Sequence, residues 1–237
     1  MSLEVCWLAQ SDAAVPVSDE WLTEREVRVA ATLRFPKRRA DWRLGRWTAK
    51  RALAIYAGLS PRVEALARIE VRPAPSGVPR AFLCGQAGDV AISISHSHGV
   101  GFCAIAPRDT ALGCDIEWAE PRTRLFLADY FHPDEREIIG EDARIQAERS
   151  AIIWSAKEST LKALECGLRE DVLSVRVAPD ITAERSPGWL GLITRHGPRT
   201  FQGWWRQTGN VVWTIVASPA LESPTPVSYR PLRGQSG

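Results

Sequence analysis

The chain lacks paired cysteines and long apolar runs, and each absence excludes a class of protein. Its five cysteines are odd in number and scattered, with no Cys-x-x-Cys pair. That spacing supports neither a disulfide framework nor a zinc site, and it favours a reducing cytoplasm. No apolar run approaches the roughly 20 residues that span a bilayer, so we expect no membrane segment. The first residues also lack the basic and apolar parts of a signal peptide.

An excess of charge of one sign is missing as well. The 237 residues carry 30 basic and 28 acidic side chains, and the net charge of +2 is too small to indicate nucleic acid as a partner. One segment is an exception, because residues 34–51 contain eight lysines and arginines against the single acid Asp41. A nucleic-acid-binding module built on this segment is one alternative function, and it predicts an affinity that depends steeply on salt.

The hydrophobic pattern predicts helices and strands in mixed order. Apolar residues at three- and four-residue steps predict helices over 40–59 and 150–166, the second ending at Gly167. Strands are predicted over 89–94, 100–106, 111–118, 172–177, 201–205 and 211–217. The first three follow one another through tight turns, which is typical of an antiparallel meander. The last two flank Gly209-Asn210, a hairpin turn.

This order of elements predicts an α+β protein of two lobes. Helix and strands are followed by helices and strands again, with a seam near residues 107–110. We therefore expect an N-terminal lobe over 1–108, a C-terminal lobe over 109–221 and a loosely ordered tail over 222–237, which is rich in proline, serine and glycine. The lobes are similar in size, but no repeat is predicted at the level of residues.

Two carboxylates lie one residue apart in the strand predicted over 111–118. Because strand side chains alternate between faces, Asp115 and Glu117 emerge together. Two carboxylates on one face repel each other unless a cation lies between them or water solvates them well, and Mg²⁺ prefers such ligands. A solvated edge strand is the alternative interpretation, so this pair alone is a weak signal.

Three residues form one stripe on the second predicted helix. Trp154, Glu158 and Lys162 follow at successive four-residue steps. The functional interpretation makes Glu158 a third acidic ligand or a base, and Lys162 a donor to phosphate. The structural alternative is an exposed glutamate–lysine pair beside a half-buried tryptophan.

Together, the strand and the helix resemble the Sfp-type 4'-phosphopantetheinyl transferases. The family pattern is a G-x-D-x-E strand followed some tens of residues later by W-x-x-K-E-(A/S)-x-x-K. Residues 113–117 (GCDIE) and 154–162 (WSAKESTLK) match both parts in full, with weaker matches from about Lys37 to Gly167. The resemblance implies two α+β lobes in a pseudo-twofold arrangement, with the active site in the cleft between them. It also implies a monomer.

For the reacting end of coenzyme A, the resemblance implies a magnesium site. Asp115, Glu117 and Glu158 would surround Mg²⁺ together with the diphosphate, and Lys162 would contact the phosphates. Glu158 and Lys162 are thus the implied catalytic residues. The family's F-x-x-x-E pattern matches residues 131–135 and makes Glu135 a candidate for an additional ligand, with Asp134 and Glu137 as competitors.

For the nucleotide end, the resemblance implies contacts in the N-terminal lobe. Ser95 and His96 match a turn whose histidine helps to hold the 3'-phosphate. Lys37, and after it Arg46, match a basic segment that reaches the same phosphate; Arg38 and Arg39 are in register with Lys37 and compete with it for this contact.

A loop over residues 72–79 resembles the family's G-K-P loop, whose backbone lies along the adenine. The matching residues are Ser76, Gly77, Val78 and Pro79. Val78 stands where the family has lysine, so Arg72 is the candidate for the missing charge.

The implied reaction transfers the 4'-phosphopantetheine of coenzyme A to a serine hydroxyl of an acyl or peptidyl carrier protein and releases 3',5'-ADP. Glu158 is ligand, proton acceptor or both. Carriers of this kind are usually acidic helical bundles, so a basic and apolar docking surface is expected among Arg122, Arg124, Leu125, Phe126 and Phe131. A packed helix is the alternative for that segment. A Mg²⁺-dependent phosphohydrolase is a second alternative function, whereas a Ser-His-Asp hydrolase is rejected because no G-x-S-x-G motif is present.

Overall fold

A computed structural model describes residues 4–179 and 188–228. The fold is α+β, as the sequence predicts, and the chain divides into two compact units. Unit 1 comprises Met1–Asp109 and Thr225–Gly237, and unit 2 comprises Thr110–Pro224. All five cysteines lie in the described residues and are free thiols. Within those residues, no helix is both long and apolar enough to cross a membrane.

In its described residues, unit 1 contains three α-helices and two small sheets. Its elements are β1 (Glu4–Ser11), α1 (Glu24–Thr32), α2 (Pro36–Tyr56), α3 (Val63–Leu66), β2 (Ile69–Pro73), β3 (Pro79–Leu83), β4 (Gln86–Ala87), β5 (Val90–Ser97) and β6 (Val100–Pro107). β6 pairs antiparallel with both β1 and β5, and β2, β3 and β4 form the second sheet. α2 packs across β1 and β6.

Unit 2 is a five-stranded sheet with a long helix against it. Its elements are β7 (Ala111–Trp118), α4 (Arg124–Tyr130), α5 (Pro133–Ile139), α6 (Ala143–Ala163), β8 (Val175–Pro179), β9 (Leu190–His196), β10 (Arg199–Thr208) and β11 (Val211–Ser218). The strand order is β7-β11-β10-β9-β8, and each of these pairs is antiparallel. α6 packs most extensively on β7 and β11.

The two long helices exist where the sequence predicts them, with different ends. α2 begins four residues before the predicted 40–59 because Pro36 fits the first helical turn, where no amide donor is needed. α6 begins before the predicted 150–166 because Asp142 caps the amides of Arg144 and Ile145. It ends at Ala163, ahead of Gly167, so the predicted stop was wrong.

Three other local predictions were wrong. The meander breaks after β6, because β7 pairs with β11, a partner about a hundred residues away that local turns do not reveal. The strand predicted over 172–177 begins at Val175, after a short 3₁₀ turn. Part of the predicted tail is a strand, β12 (Glu222–Pro226), which lies beside β1, and the Val227 amide donates to the Trp7 carbonyl. The rest of that tail, from residue 229, lies outside the described residues.

The two units share a short repeat in sequence and in contacts, although no repeat at the level of residues was predicted. Lys50 on α2 pairs with Glu26 at 2.5 Å, and Lys157 on α6 pairs with Glu135 at 2.8 Å; all four side chains are buried. Both glutamates close capping boxes, of α1 and α5 respectively. Each also accepts a strand amide, Val71 on β2 or Val177 on β8. The signal in the sequence is the tetrapeptide WTAK at 47–50, repeated as WSAK at 154–157.

Candidate metal centre

β7 and α6 bring three carboxylates together. Asp115 and Glu117 lie on β7, and Glu158 lies on the face of α6 that packs against this strand. One oxygen atom from each carboxylate lies within 4.8 Å of the other two. Asp115 is buried, whereas Glu117 and Glu158 are half-buried. The strand and helix motifs therefore meet in one acidic cluster.

Gly113 explains how the helix comes so close to the strand. A Cβ atom at Gly113 would lie 1.7 Å from the carbonyl oxygen of Ser159 and 2.9 Å from the amide nitrogen of Ala163. Both are backbone atoms of α6 and cannot move aside independently of the helix. Only glycine at this position lets α6 approach β7 closely enough for Glu158 to join Asp115. The glycine of the G-x-D-x-E pattern thus has a packing role.

The donor set fits a hard divalent cation. Burial, followed by the charge of Asp115, raises the pKa of Glu158 to about 7 and also raises the pKa of Glu117. Poorly solvated carboxylates that repel one another are stabilised by a cation between them. Carboxylate oxygens are the ligands that Mg²⁺ and Ca²⁺ take in proteins. Asp115, Glu117 and Glu158 therefore have the chemistry of a Mg²⁺ site.

Within the part of the chain that the structure describes, Lys162 and Arg122 pair with carboxylates of the cluster. Lys162 Nζ lies 2.7 Å from Asp115 Oδ1 and 4.0 Å from Glu158 Oε2, and it also donates to the carbonyl of Cys114. Burial opposes its charge, but the two carboxylates outweigh burial and raise the pKa of Lys162. Arg122 Nη2 lies 3.2 Å from Glu117 Oε2. The sequence predicts Lys162 at this site, whereas it predicts Arg122 only for the carrier-docking surface.

Glu135 does not join the cluster, so its candidacy as an additional ligand was wrong. Its carboxylate oxygens accept the amides of His132 and Val177 and face Lys157 Nζ. These three donors satisfy a buried carboxylate. Its competitor Asp134 is exposed and pairs with Arg176 at 3.1 Å. The sequence does contain a signal for the partner of Glu135. Lys157 belongs to the helix motif, and its buried charge requires an acidic partner.

In unit 1, His96, which is predicted to hold the 3'-phosphate, lies beside Gly45 of α2. His96 is exposed at the end of β5, directly after the buried Ser95, and a Cβ atom at Gly45 would lie 3.8 Å from its ring. Arg46 follows Gly45; its guanidinium carbon lies 4.9 Å from the centre of the Trp42 ring, and burial lowers its pKa. Lys37 lies in the first turn of α2, where it is exposed and pairs with Asp41 at 2.8 Å.

The predicted adenine loop is the turn between β2 and β3. Ser76, Gly77 and Val78 lie in the turn and Pro79 opens β3. Gly77 has a φ of +93°, a conformation that favours glycine. Arg72 at the end of β2 donates to Glu70 at 2.5 Å and lies over the Phe82 ring. Its charge is therefore already balanced, and its role toward a ligand stays a prediction.

The fold and the acidic cluster define an α+β protein with a candidate divalent-metal centre. Residues 111–216, which include all three carboxylates, match the family model of the 4'-phosphopantetheinyl transferase superfamily. The match covers less than half of the 237 residues, and for this part of the chain it confirms the family prediction at the level of the superfamily; the narrower Sfp-type assignment stays a prediction.

Two further comparisons with known proteins are weaker. No curated protein matches the chain. Among solved structures, a crystal structure of Helicobacter pylori holo-[acyl-carrier-protein] synthase in complex with coenzyme A matches with 15% identity and a TM-score of 0.33, covering 44% of this chain and 98% of that one. The support for the family therefore comes from the family model over residues 111–216.

Proposed function

We propose that the protein transfers the 4'-phosphopantetheine of coenzyme A to a serine hydroxyl of an acyl or peptidyl carrier protein in a Mg²⁺-dependent reaction. The observation that carries the proposal is the meeting of Asp115, Glu117 and Glu158 within 4.8 Å, beside Lys162. The serine oxygen forms a bond to the β-phosphorus, the phosphoanhydride bond breaks, and 3',5'-ADP leaves with the electron pair.

Asp115, Glu117 and Glu158 would hold the metal. When bound, Mg²⁺ would neutralise charge that develops on the diphosphate as the phosphoanhydride breaks. Lys162, whose Nζ is 2.7 Å from Asp115, would donate to a phosphate oxygen while it keeps that carboxylate oriented. Transfer of phosphoryl groups depends largely on such positioning and on charge stabilisation.

Glu158 is also our candidate for the proton acceptor. A general base works best when its pKa lies near the working pH. Burial and the Asp115 charge raise the pKa of Glu158 to about 7, which suits the removal of a serine proton directly or through water. Binding a cation lowers that pKa again, so ligand and base are alternative duties for this carboxylate.

The nucleotide end of coenzyme A would bind residues of unit 1. Arg46, His96 and Lys37 provide the charges and donors that a 3'-phosphate requires. The turn around Gly77 offers backbone groups to the adenine, with Ser76, Val78 and Pro79 beside it. Lys37 is exposed, and its pair with Asp41 is a surface pair that a phosphate can displace at little cost.

The carrier would dock on α4 and on Arg122, which precedes the capping residue Thr123 of this helix. Leu125 is 71% exposed and the Arg124 side chain is exposed beside it, which suits an acidic helical partner. Arg122 links this surface to Glu117. Phe131, considered for the same surface, is buried in the core of unit 2 and is unavailable to a partner. We expect the protein to act as a monomer.

The nucleic-acid alternative receives less support from α2. Within this basic helix, Lys50 is fully buried against Glu26, and Arg43 is bound to Asp19 and to the carbonyl of Ser18. The exposed cations of α2 are Lys37, Arg38 and Arg39 in its first turns, so they do not form a basic stripe along the helix.

The test is to incubate the protein with apo-carrier, coenzyme A and Mg²⁺ and to weigh the carrier. We expect the mass to increase by one phosphopantetheine, and we expect EDTA or Asp115→Ala to prevent the increase. An unmodified carrier that a known transferase does modify would refute the proposal. Release of phosphate from coenzyme A without any carrier would instead support the phosphohydrolase.

A further inference from the structure

Trp154 lies one helical turn before Glu158 on α6, on the same face. Their side chains are hydrogen-bonded. The indole N–H is the only polar group of the tryptophan side chain and it can only donate, so the Glu158 carboxylate accepts this bond. Glu158, one of the three carboxylates of the candidate metal cluster, thus accepts a hydrogen bond from a neutral donor.

The indole is itself fixed by a group of aromatic rings. The Trp154 ring centre lies 5.1 Å from that of Phe126, 5.5 Å from that of Tyr130 and 6.4 Å from that of Phe131. The contact with Tyr130 is edge-to-face, with an interplanar angle of 77°. Phe126 and Tyr130 belong to α4, so this helix determines the direction in which the indole N–H points.

Unit 1 has a tryptophan at the matching position, but within the described chain that tryptophan does not bind a carboxylate. Trp47 occupies the matching position of the WTAK tetrapeptide, and four residues later Arg51 stands where unit 2 has Glu158. The Trp47 indole nitrogen is buried and has no hydrogen-bond acceptor within residues 4–179 and 188–228. Its ring packs edge-to-face on Trp21 at 5.2 Å. The shared tryptophan is therefore a packing residue in both units, and only in unit 2 does it hold a carboxylate.

We propose that Trp154 is a positioning residue. Its indole N–H, which the rings of α4 orient, holds the Glu158 carboxylate in the orientation that binds the metal. This inference rests on the proposed metal site. Groups that hydrogen-bond to metal ligands from behind orient them, and their loss typically weakens metal binding by about 10- to 100-fold. Trp154 does not touch the substrate in this account; it acts through Glu158.

The test measures Mn²⁺ affinity, by electron paramagnetic resonance of free Mn²⁺, in the full chain. Trp154→Phe keeps an aromatic ring but removes the donor, and we expect binding about tenfold weaker than native. Trp47→Phe makes the same change at the matching position of unit 1, and we expect native affinity. Phe126→Leu keeps the indole but removes a ring that orients it, and we expect weaker binding in the same direction.

Several outcomes would overturn the proposal. Native affinity in Trp154→Phe would do so, as would an equal loss in Trp47→Phe, which would reveal a general effect of tryptophan replacement. Should Trp154→Phe fail to fold, Phe126→Leu decides, and native affinity there contradicts the proposal. If the native protein binds no Mn²⁺, the proposed metal site is overturned as well. If the native protein and Trp154→Phe bind Mn²⁺ with equal affinity, the role of Trp154 is overturned and the metal site is not.

Discussion

Lys157 on α6 and Glu135 on α5 form an ion pair from which water is excluded, with 2.8 Å between Nζ and Oε2. Removing one partner of such a pair leaves an uncompensated buried charge, which costs about 3–5 kcal/mol. We therefore expect Lys157→Met to lower the free energy of unfolding by that amount, measured by urea denaturation. Arg176→Ala, which breaks the neighbouring exposed pair with Asp134, should cost less than about 1 kcal/mol. Equal effects of the two changes would contradict this account.

Gly113→Ala tests the contact that brings the acidic strand to α6. The added methyl group meets the backbone of Ser159, so strand and helix must separate, and we expect a loss of about 3 kcal/mol in unfolding free energy. Gly191→Ala on β9 is the matched control, because a Cβ atom there meets nothing within 4 Å and its cost should be near zero. Gly113→Ala with native stability and native Mn²⁺ affinity would contradict the packing role.

Stability of the metal-free protein should fall as pH rises between about 4.5 and 7. Because the pKa of Glu158 is raised from 4.5 to about 7 in the folded chain, the folded state binds this proton more tightly than the unfolded state does. The resulting stabilisation is present at low pH and is lost through this window, by an amount on the order of 2 kcal/mol. The measurement is urea unfolding in EDTA near pH 5 and pH 8.

Glu158→Gln is the reference for that measurement, because other carboxylates titrate in the same range. The variant should lack the Glu158 part of the decline, so the difference between native and variant carries the signal. A native protein that loses no more stability than Glu158→Gln over this range would contradict the assigned environment of this carboxyl group.

Lys162→Gln should move the affinities for the metal and for coenzyme A in opposite directions. Removing a positive charge 2.7 Å from Asp115 makes the cluster more negative, so Mn²⁺ should bind several-fold more tightly. Loss of a charge-assisted hydrogen bond to phosphate should weaken coenzyme A binding about tenfold. Calorimetric titration with each ligand checks both, and a change of the same sign for the two ligands would contradict the role given to Lys162.

The sequence predicted what depends on short spacings. Alternation on a strand placed Asp115 and Glu117 together, and the four-residue step placed Glu158 and Lys162 on one face of α6. The two long helices were found for the same reason, and their ends shifted because the Asp142 cap and the fit of Pro36 to a first helical turn act outside the hydrophobic pattern.

The sequence misled where a residue's partner is distant along the chain. Glu135 looked like a ligand because its true partner, Lys157, lies on another helix. β7 looked like part of a meander because its partner β11 follows only after α6 and three further strands. The repeated tetrapeptide was visible but short, and its meaning appears only when Lys50 and Lys157 are seen to make the same buried contacts.

The most direct measurement of the central claim is a Mn²⁺ titration of the native protein beside Asp115→Asn, Glu117→Gln and Glu158→Gln. We predict one ion per native chain and binding at least about tenfold weaker in each variant, because each loses one of the three charged ligands. Native-like Mn²⁺ binding in all three variants would contradict the claim that these carboxylates form one metal centre.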